Sequence, residues 1–270
     1  MQESAGKWKI PTKGNSRRRG NGIAHMLVVM KMSNAFYPWR KAFSGLFFPY
    51  RNCLCCGKVS VDAPLCTDCR SRWQDLRSCR YCATFVSSTE AVEYRCQNCR
   101  GVSLPFAMAR AALPYEGFLR ERLLAFKYYG RTGLRWPFAA LLLETFQQFY
   151  DGLQFDAIVP MPLAAGRYQE RGYNQVELLT ELLAAELDLP HRPQLLHRVR
   201  ETRPLAELNR GEREQELAGA FQGAAANGMR LLLVDDIYTT GMTMRGAAQA
   251  LRNSGAREIY ALSVAASRDF

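Results

Sequence analysis

The chain has 270 residues, 48% hydrophobic and 23% charged, which is typical of a folded protein with a sizeable core. Its formal net charge is +11, but residues 1–52 hold ten lysines and arginines and one acid, Glu3, so the remaining residues carry a net charge of only +2. Residues 53–270 are therefore nearly neutral overall, which excludes a strongly basic fold there. The sequence also contains no run of about 18 apolar residues, so it predicts no transmembrane segment.

The N-terminal segment 1–52 is rich in basic residues, glycine and asparagine and contains three consecutive arginines at 17–19. This composition predicts a basic, disordered extension. An apolar stretch around Met26 is short, is interrupted by Lys31 and is followed by no small-residue cleavage site, so it does not fit a secretory signal. We therefore expect a cytoplasmic protein.

The nine cysteines all lie between residues 53 and 99. Eight of them form four Cys-x2-Cys pairs, and Cys55 is left over. Two thiolates at this spacing turn towards one ion, and two such pairs complete a tetrahedral site. A disulfide framework is disfavoured because the chain shows no secretion signal. We predict a double zinc-ribbon module over 53–103 that holds two structural zinc ions through Cys53, Cys56, Cys66, Cys69, Cys79, Cys82, Cys96 and Cys99.

Two pairings of these cysteines are possible: a sequential one, with the first four and the last four as separate sites, and a cross-braced one. We favour the sequential pairing because the intervals are short and because "CRSRWQDL" (69–76) predicts a helix starting at a knuckle. Closed sites of four cysteines are structural rather than catalytic. We therefore expect the module to bind or hold a partner.

From about residue 104 the hydrophobic pattern alternates between strands and helices. Strands are predicted at 106–115, 155–162, 195–200, 230–236 and 257–266, and helices at 117–130, 134–150, 174–189 and 242–256. This alternation predicts an α/β domain over 104–270 with a parallel sheet and helices on both faces. Ligands of such sheets bind at the carboxyl ends of the strands, where two polar loops fall, 161–175 and 235–243.

The second of these loops belongs to the stretch "LLLVDDIYTTGMT" (231–243). Its four aliphatic residues predict a central strand, with Asp235 and Asp236 emerging at its carboxyl end. Two adjacent carboxylates suit the vicinal hydroxyls of a ribose. The turn that opens the next helix offers N–H groups and hydroxyls to a 5-phosphate through Thr239, Thr240, Gly241 and Thr243. A site in which the acid pair binds a metal, as in phosphorelay receivers, fits less well. In receivers the acids come early and a phosphoacceptor follows on a later strand, whereas here only one strand remains.

This stretch resembles the phosphoribosyl diphosphate (PRPP) signature of type I phosphoribosyltransferases. Together with "IVPMP", "RYQERGYNQ", "TRP" and "AF", it makes residues 53–265 similar to the ComF family, which includes the GntX-type proteins. The resemblance implies a zinc module joined to a type I phosphoribosyltransferase-like domain that binds PRPP with Mg²⁺. It also implies a basic position at Lys127 and a loop facing the diphosphate, formed by Arg171, Gly172, Tyr173, Asn174 and Gln175. The chain departs from the family pattern at Leu205 and Glu216, where members tend to have Gln and Asn.

Two functions follow from this resemblance. In the first, the protein binds PRPP or a nucleotide and acts in DNA uptake (competence) or DNA utilisation, with single-stranded DNA and DNA-uptake proteins as partners. In the second, it is a phosphoribosyltransferase that moves ribose 5-phosphate from PRPP to an unidentified nitrogenous acceptor. We favour the first function because the sequence shows no acceptor pocket. The sequence does not identify the catalytic residues.

The cysteine pattern makes a testable prediction about metal content. Purified protein should contain two zinc ions per chain by elemental analysis. Cys55→Ser should leave that number unchanged, whereas Cys53→Ser should lower it and destabilise the module. A value of one or none in the wild type would contradict the two-site prediction.

Overall fold

The computed structural model describes residues 52–60, 63–74, 76–86, 96, 99–201 and 219–268. The predicted basic extension, apart from Asn52, lies outside these ranges, as do Leu205 and Glu216. The described residues belong to one compact unit, Phe48–Phe270. Within those ranges, no helix combines the length and the apolar character needed to cross a membrane. The predicted domain boundary between 103 and 104 stays a prediction.

The cysteine-rich part consists of short elements around its knuckles. Helix α1 (Thr67–Gln74) begins inside the second Cys-x2-Cys pair, two residues before the predicted start. Asp68 in its first turn stabilises the helix by its favourable interaction with the helix dipole. Strands β1 (Arg77–Ser78) and β2 (Phe85–Val86) pair in an antiparallel hairpin around the third knuckle. The sequence pattern predicted neither strand because two residues are too few to show a periodicity.

The rest of the unit is an α/β fold. Its strands are β3 (Met108–Pro114), β4 (Ala157–Pro160), β5 (Leu196–Arg198), β6 (Phe221–Gly223), β7 (Arg230–Tyr238) and β8 (Glu258–Ala266). Its helices are α2 (Gly117–Tyr128), α3 (Arg135–Phe149), α4 (Ala165–Arg171), α5 (Gln175–Leu187) and α6 (Met242–Asn253). Four strands form a parallel sheet in the order β3-β8-β7-β4, and β5 and β6 form a separate antiparallel pair.

Helices cover both faces of this sheet. Helices α3 and α5 pack on each other, α3 contacts β3 and β8, and α6 contacts β7 and β8. The chain crosses from β3 to β4 in one direction and from β7 to β8 in the other, so right-handed crossovers put α6 on the face opposite α3. The four aliphatic residues of β7, Leu231, Leu232, Leu233 and Val234, are accordingly fully buried. The predicted fold class is confirmed: a parallel α/β sheet preceded by a cysteine-rich region.

The sheet has a crevice between β4 and β7. After β4 the chain passes to His191, which bridges Ile158 on the outer side of β4, whereas after β7 it passes to β8 on the opposite side. Two neighbouring parallel strands whose connections diverge leave a ligand-binding crevice at their carboxyl ends. Strand β4 stops where Pro160 pairs with Val234, but β7 continues along β8 to Tyr238. The predicted end of the β7 strand at Asp236 is therefore two residues short, and the aspartates lie inside it.

The cysteine-rich part packs directly against the sheet and its helices. The guanidinium of Arg110, a buried residue of β3, donates to the carbonyl of Arg80 at 2.8 Å and lies over the ring of Phe149. Arg70 of α1 forms a two-bond ion pair with Glu144 of α3, at 2.8 and 3.0 Å. The Arg70–Glu144 pair is partly buried and joined by two hydrogen bonds, so it fixes the orientation of α1 on α3 and also contributes stability.

Candidate functional site

The eight paired cysteines form two compact groups. In each group all four Sγ atoms lie within 4.8 Å of one another, and the groups are Cys53, Cys56, Cys66 and Cys69, and Cys79, Cys82, Cys96 and Cys99. We call them the first and second cysteine centres. The grouping is the sequential one. Cys55 belongs to neither group and is exposed.

The two aspartates of the motif lie beside the crevice, on opposite faces of β7. Successive side chains of a strand alternate between faces, so the two carboxylates flank the backbone instead of standing side by side. Both residues are buried, at 9% exposure for Asp235 and 3% for Asp236. Their alternation was readable from the strand pattern, but the prediction ended the ordered strand at this point and so treated the pair as one cluster.

Asp236 is held by two side chains from the neighbouring helices. Its Oδ1 lies 2.9 Å from the Nζ of Lys127, in the last turn of α2, and its Oδ2 accepts a 2.7 Å hydrogen bond from Gln175 at the start of α5. Burial by itself would lower the pKa of Lys127, but the carboxylates of Asp236 and Asp235 outweigh it and raise that pKa. The ammonium therefore stays charged beside the crevice, and each carboxylate oxygen keeps a lone pair for a further donor.

Asp235 has a different environment. Burial, followed by repulsion from Asp236, raises the pKa of the Asp235 carboxyl to about 8, although Lys127 and Arg198 of β5 act in the opposite direction. Its Oδ1 accepts a hydrogen bond from the backbone N–H of Asp236 at 2.8 Å. The site thus combines an acid that exchanges a proton near neutral pH with a second acid fixed by an ammonium group. The part played by Arg198 left no signal in the sequence.

The predicted loop 161–175 contains a short helix, α4, which ends at Arg171; Gly172 follows it in the left-handed region (φ 76°). Arg171 donates to Gln175 at 2.7 Å and its guanidinium lies over the ring of Tyr128. Since Gln175 also bonds Asp236, a continuous chain of side chains links Arg171 to the aspartate.

Two other residues of this loop have structural contacts. The hydroxyl of Tyr173 donates to the carbonyl of Phe126 at 2.6 Å. Asn174 caps α5 by accepting from the N–H of Val176, and its amide donates to the carbonyl of Met161. Their contacts hold the loop to α2 and β4, so their predicted contact with a diphosphate stays a prediction.

Residues 239–241, which we call the threonine turn, connect β7 to α6. Thr239 and Thr240 are exposed, whereas Thr243 in the first turn of α6 is half-buried. Gly241 has a φ of 72°, and a side-chain carbon at its position would collide with the hydroxyl of Tyr238. Glycine is therefore required here by the backbone conformation and by Tyr238, and its predicted contact with a 5-phosphate stays a prediction.

A cleft of about 500 Å³ opens at the carboxyl end of β4. Its walls come from the residues after β4, from α4, from the start of α5 and from β5, and include Tyr168, Glu177 and Arg198. Pro160 lines the cleft and pairs with Val234, the residue before Asp235, so the cleft adjoins the end of β7 that carries the aspartates. Loop 161–175 was predicted to lie at a ligand-binding edge of the sheet, but the wall that β5 contributes was not predicted.

Comparison with curated proteins places the chain among relatives of similar length. It is 32% identical over 212 residues to "Competence protein ComFC" of Streptococcus pneumoniae, covering 75% of this chain and 88% of the relative. The chain belongs to the ComF family. This ComF protein is also 29% identical over 250 residues to "Competence protein ComFC" of Bacillus subtilis, covering 89% and 94% of the two chains. "DNA utilization protein YhgH" of Salmonella typhimurium is 34% identical over 137 residues, covering 49% and 60%.

No family model matches the ComF chain. Among solved structures, a PRPP amidotransferase from B. subtilis complexed with ADP and GMP has 16% identity and a TM-score of 0.36, covering 52% of this chain and 30% of that one. A similarity this low supports no conclusion about the site, so the roles assigned to its residues rest on the contacts described above.

The raised pKa of Asp235 predicts how stability depends on pH. A carboxyl whose pKa rises from 3.8 to about 8 on folding favours the folded state at low pH and loses that contribution as the pH rises towards 8. Asp235→Asn removes the titration, so its free energy of unfolding should rise relative to wild type between pH 5 and 8, by at most about 1.4 kcal/mol per pH unit.

Urea unfolding at several pH values measures this difference. Asp151→Asn is the matched control, because Asp151 is exposed and should keep the wild-type slope. Parallel profiles for Asp235→Asn and wild type would contradict the assignment of a raised pKa.

Proposed function

We propose that this ComF protein binds PRPP or a nucleotide and acts in DNA uptake or DNA utilisation. The observation that carries the proposal is the acid pair at the crevice between β4 and β7, with Asp236 fixed by Lys127 and Gln175. A buried pair of this kind, open to a crevice and lined with charged groups of both signs, is typical of a site for a polar, charged ligand.

Each part of the ligand has a proposed partner. The aspartates would accept hydrogen bonds from the ribose hydroxyls, because a carboxylate offers several acceptor sites in a small space. The threonine turn and Thr243 would receive the 5-phosphate through hydroxyls and the free N–H groups at the start of α6. Arg171 would face the diphosphate, since its planar guanidinium matches phosphate oxygens.

The role in DNA metabolism is supported by the family relatives. Their names describe competence proteins and a DNA utilisation protein. We propose single-stranded DNA and DNA-uptake proteins as partners and the cytoplasm as the location. The cysteine-rich module is the candidate contact surface, because it contributes no chemistry of its own.

The cysteine centres fit zinc. In a tetrahedral site with bonds of about 2.3 Å, neighbouring sulfurs lie about 3.8 Å apart. The Sγ atoms of Cys56 and Cys66 are 3.7 Å apart, and those of Cys82 and Cys96 are 3.4 Å apart. Zinc bound there would fix the knuckles and provide folding energy.

A phosphoribosyltransferase activity is the second candidate, and one observation favours it. A pKa of about 8 allows Asp235 to hold or release a proton at neutral pH, as a general acid or base requires. In such a reaction this chain's residues would orient the ribose and hold the diphosphate. Mg²⁺, when bound with PRPP, would neutralise charge on the leaving diphosphate. Release of diphosphate from PRPP with some nitrogenous base would establish the activity, and its absence with every base tested would exclude it.

PRPP binding gives the main test of the proposed site. Asp236→Asn keeps the side-chain size but replaces an acceptor with a donor, so it should weaken PRPP binding by about 1.5–3 kcal/mol. Because the pKa of Asp235 is about 8, Asp235→Asn should reach that loss only above pH 8, where the wild-type carboxyl is ionised, and should cost about 0.5–1.5 kcal/mol at pH 7. Thr240→Val should weaken PRPP and ribose 5-phosphate alike. Calorimetry with PRPP and Mg²⁺ measures all three variants. Asp151→Asn is the control, because Asp151 is exposed and precedes the amino end of β4, whereas the crevice lies at the carboxyl end.

If the Asp variants bind PRPP as tightly as wild type, or if wild type does not bind PRPP at millimolar concentration, the chain resembles phosphoribosyltransferases in fold only.

The DNA role needs a separate measurement, binding of single-stranded DNA by the full chain and by a chain lacking residues 1–25. Affinity that survives the deletion belongs to the zinc module or the α/β domain, and affinity that disappears with its salt dependence belongs to the extension.

A further inference from the structure

The second cysteine centre is joined to the end of β7 by backbone hydrogen bonds. The N–H of Phe85, in β2, donates to the carbonyl of Ser267 at 3.0 Å, and the N–H of Ser267 donates to the carbonyl of Tyr238 at 2.9 Å. Phe85 also forms a parallel bridge with Arg268. In an extended residue the N–H and the C=O point to the same side, so Ser267 bonds Tyr238 and Phe85 along the same edge. Strand β7 turns away at Thr239, and Phe85 occupies the place beside Ser267 that β7 leaves.

Ser267 reaches the threonine turn with its side chain as well. Its hydroxyl donates to the carbonyl of Thr239 at 3.1 Å. One residue thus binds the last residue of β7, the first residue of the turn and a strand of the cysteine-rich part. Tyr238, whose carbonyl it holds, is buried and contacts Gly241 at the other end of the turn.

The position of Phe85 depends in turn on the second centre. Strands β1 and β2 have two residues each, which is too short for a hairpin that is stable by itself. The hairpin is closed by a 2.8 Å hydrogen bond from the N–H of Cys79 to the carbonyl of Thr84, and the thiol of Cys82 contacts the Thr84 hydroxyl at 3.2 Å. The first centre contacts a different part of the domain, through Arg70 and Glu144 of α3.

We propose that Ser267 is a positioning residue that couples metal binding at the second cysteine centre to the conformation of the threonine turn. With the metal bound, β2 is fixed, Ser267 is held by both Phe85 and Tyr238, and the turn keeps one shape. Without it, the hairpin loosens and the turn loses its support from Phe85. The consequence for ligand affinity rests on the proposed function, whereas the consequence for the turn itself does not.

A pair of matched variants tests the coupling without any ligand. Cys99→Ser removes a ligand of the second centre, and Cys69→Ser removes the buried residue at the equivalent place in the first. Each should lower the zinc content from two to one. Amide hydrogen exchange in a peptide covering 236–245 should then accelerate about tenfold in Cys99→Ser and stay near wild type in Cys69→Ser. Equal acceleration in both variants, or none in Cys99→Ser, would overturn the proposal.

Variants of Ser267 provide a second test that leaves both centres intact. Ser267→Ala should keep two zinc ions but accelerate exchange in the same peptide about two- to tenfold, the effect of one lost hydrogen bond. Ser267→Thr retains a hydroxyl and should restore slow exchange. If Ser267→Ala exchanges like wild type, the coupling through this residue is wrong, even if Cys99→Ser fails to fold.

Binding of ribose 5-phosphate to the same variants separates the two proposals. Weaker binding in Ser267→Ala and Cys99→Ser than in Cys69→Ser supports the coupling and the phosphate role of the turn together. A wild type that binds no ribose 5-phosphate, combined with the expected exchange pattern, removes the phosphate role and leaves the coupling standing.

Discussion

The site depends on the buried ion pair between Lys127 and Asp236. An unpaired carboxylate at 3% exposure would be costly, and so would an unpaired ammonium, so each group requires the other. The pair joins the end of α2 to β7, and Gln175 adds the start of α5 to the same carboxylate. Three elements that are far apart in the sequence are thereby fixed around one crevice, which is the preorganisation that a charged ligand needs.

The length of β7 decides what the crevice presents. Its pairing with β8 continues for four residues after its pairing with β4 has ended, so the aspartates project past the neighbouring strand on one side while their backbone stays fixed on the other. The turn that follows is fixed in a similar way, by Ser267 beyond the end of β8. The cysteine-rich part therefore lies against the same region of the sheet that carries the candidate site.

Much of this was predictable from the sequence because it depends on local patterns. The aliphatic run of β7, the helical spacing of α5 and the four Cys-x2-Cys pairs each specify their structure within a few residues. Helix α4 was missed because its seven residues, all outside the buried core, show no apolar periodicity. The link from Lys127 to Asp236 was not visible, since nothing local relates two residues more than 100 positions apart; only the family resemblance pointed to Lys127. The role of Ser267 depends on the register of three strands, which a sequence pattern does not contain.

The proposed site for a ribose phosphate combines the acid pair with the threonine turn. A crystal structure of the protein with ribose 5-phosphate tests whether the two belong to one site. We expect the sugar hydroxyls within hydrogen-bond distance of Asp235 or Asp236 and the phosphate against residues 239–243, with Lys127 still paired to Asp236. A ligand bound elsewhere, or an acid pair that coordinates only a metal ion while the turn stays empty at saturating ligand, would contradict it.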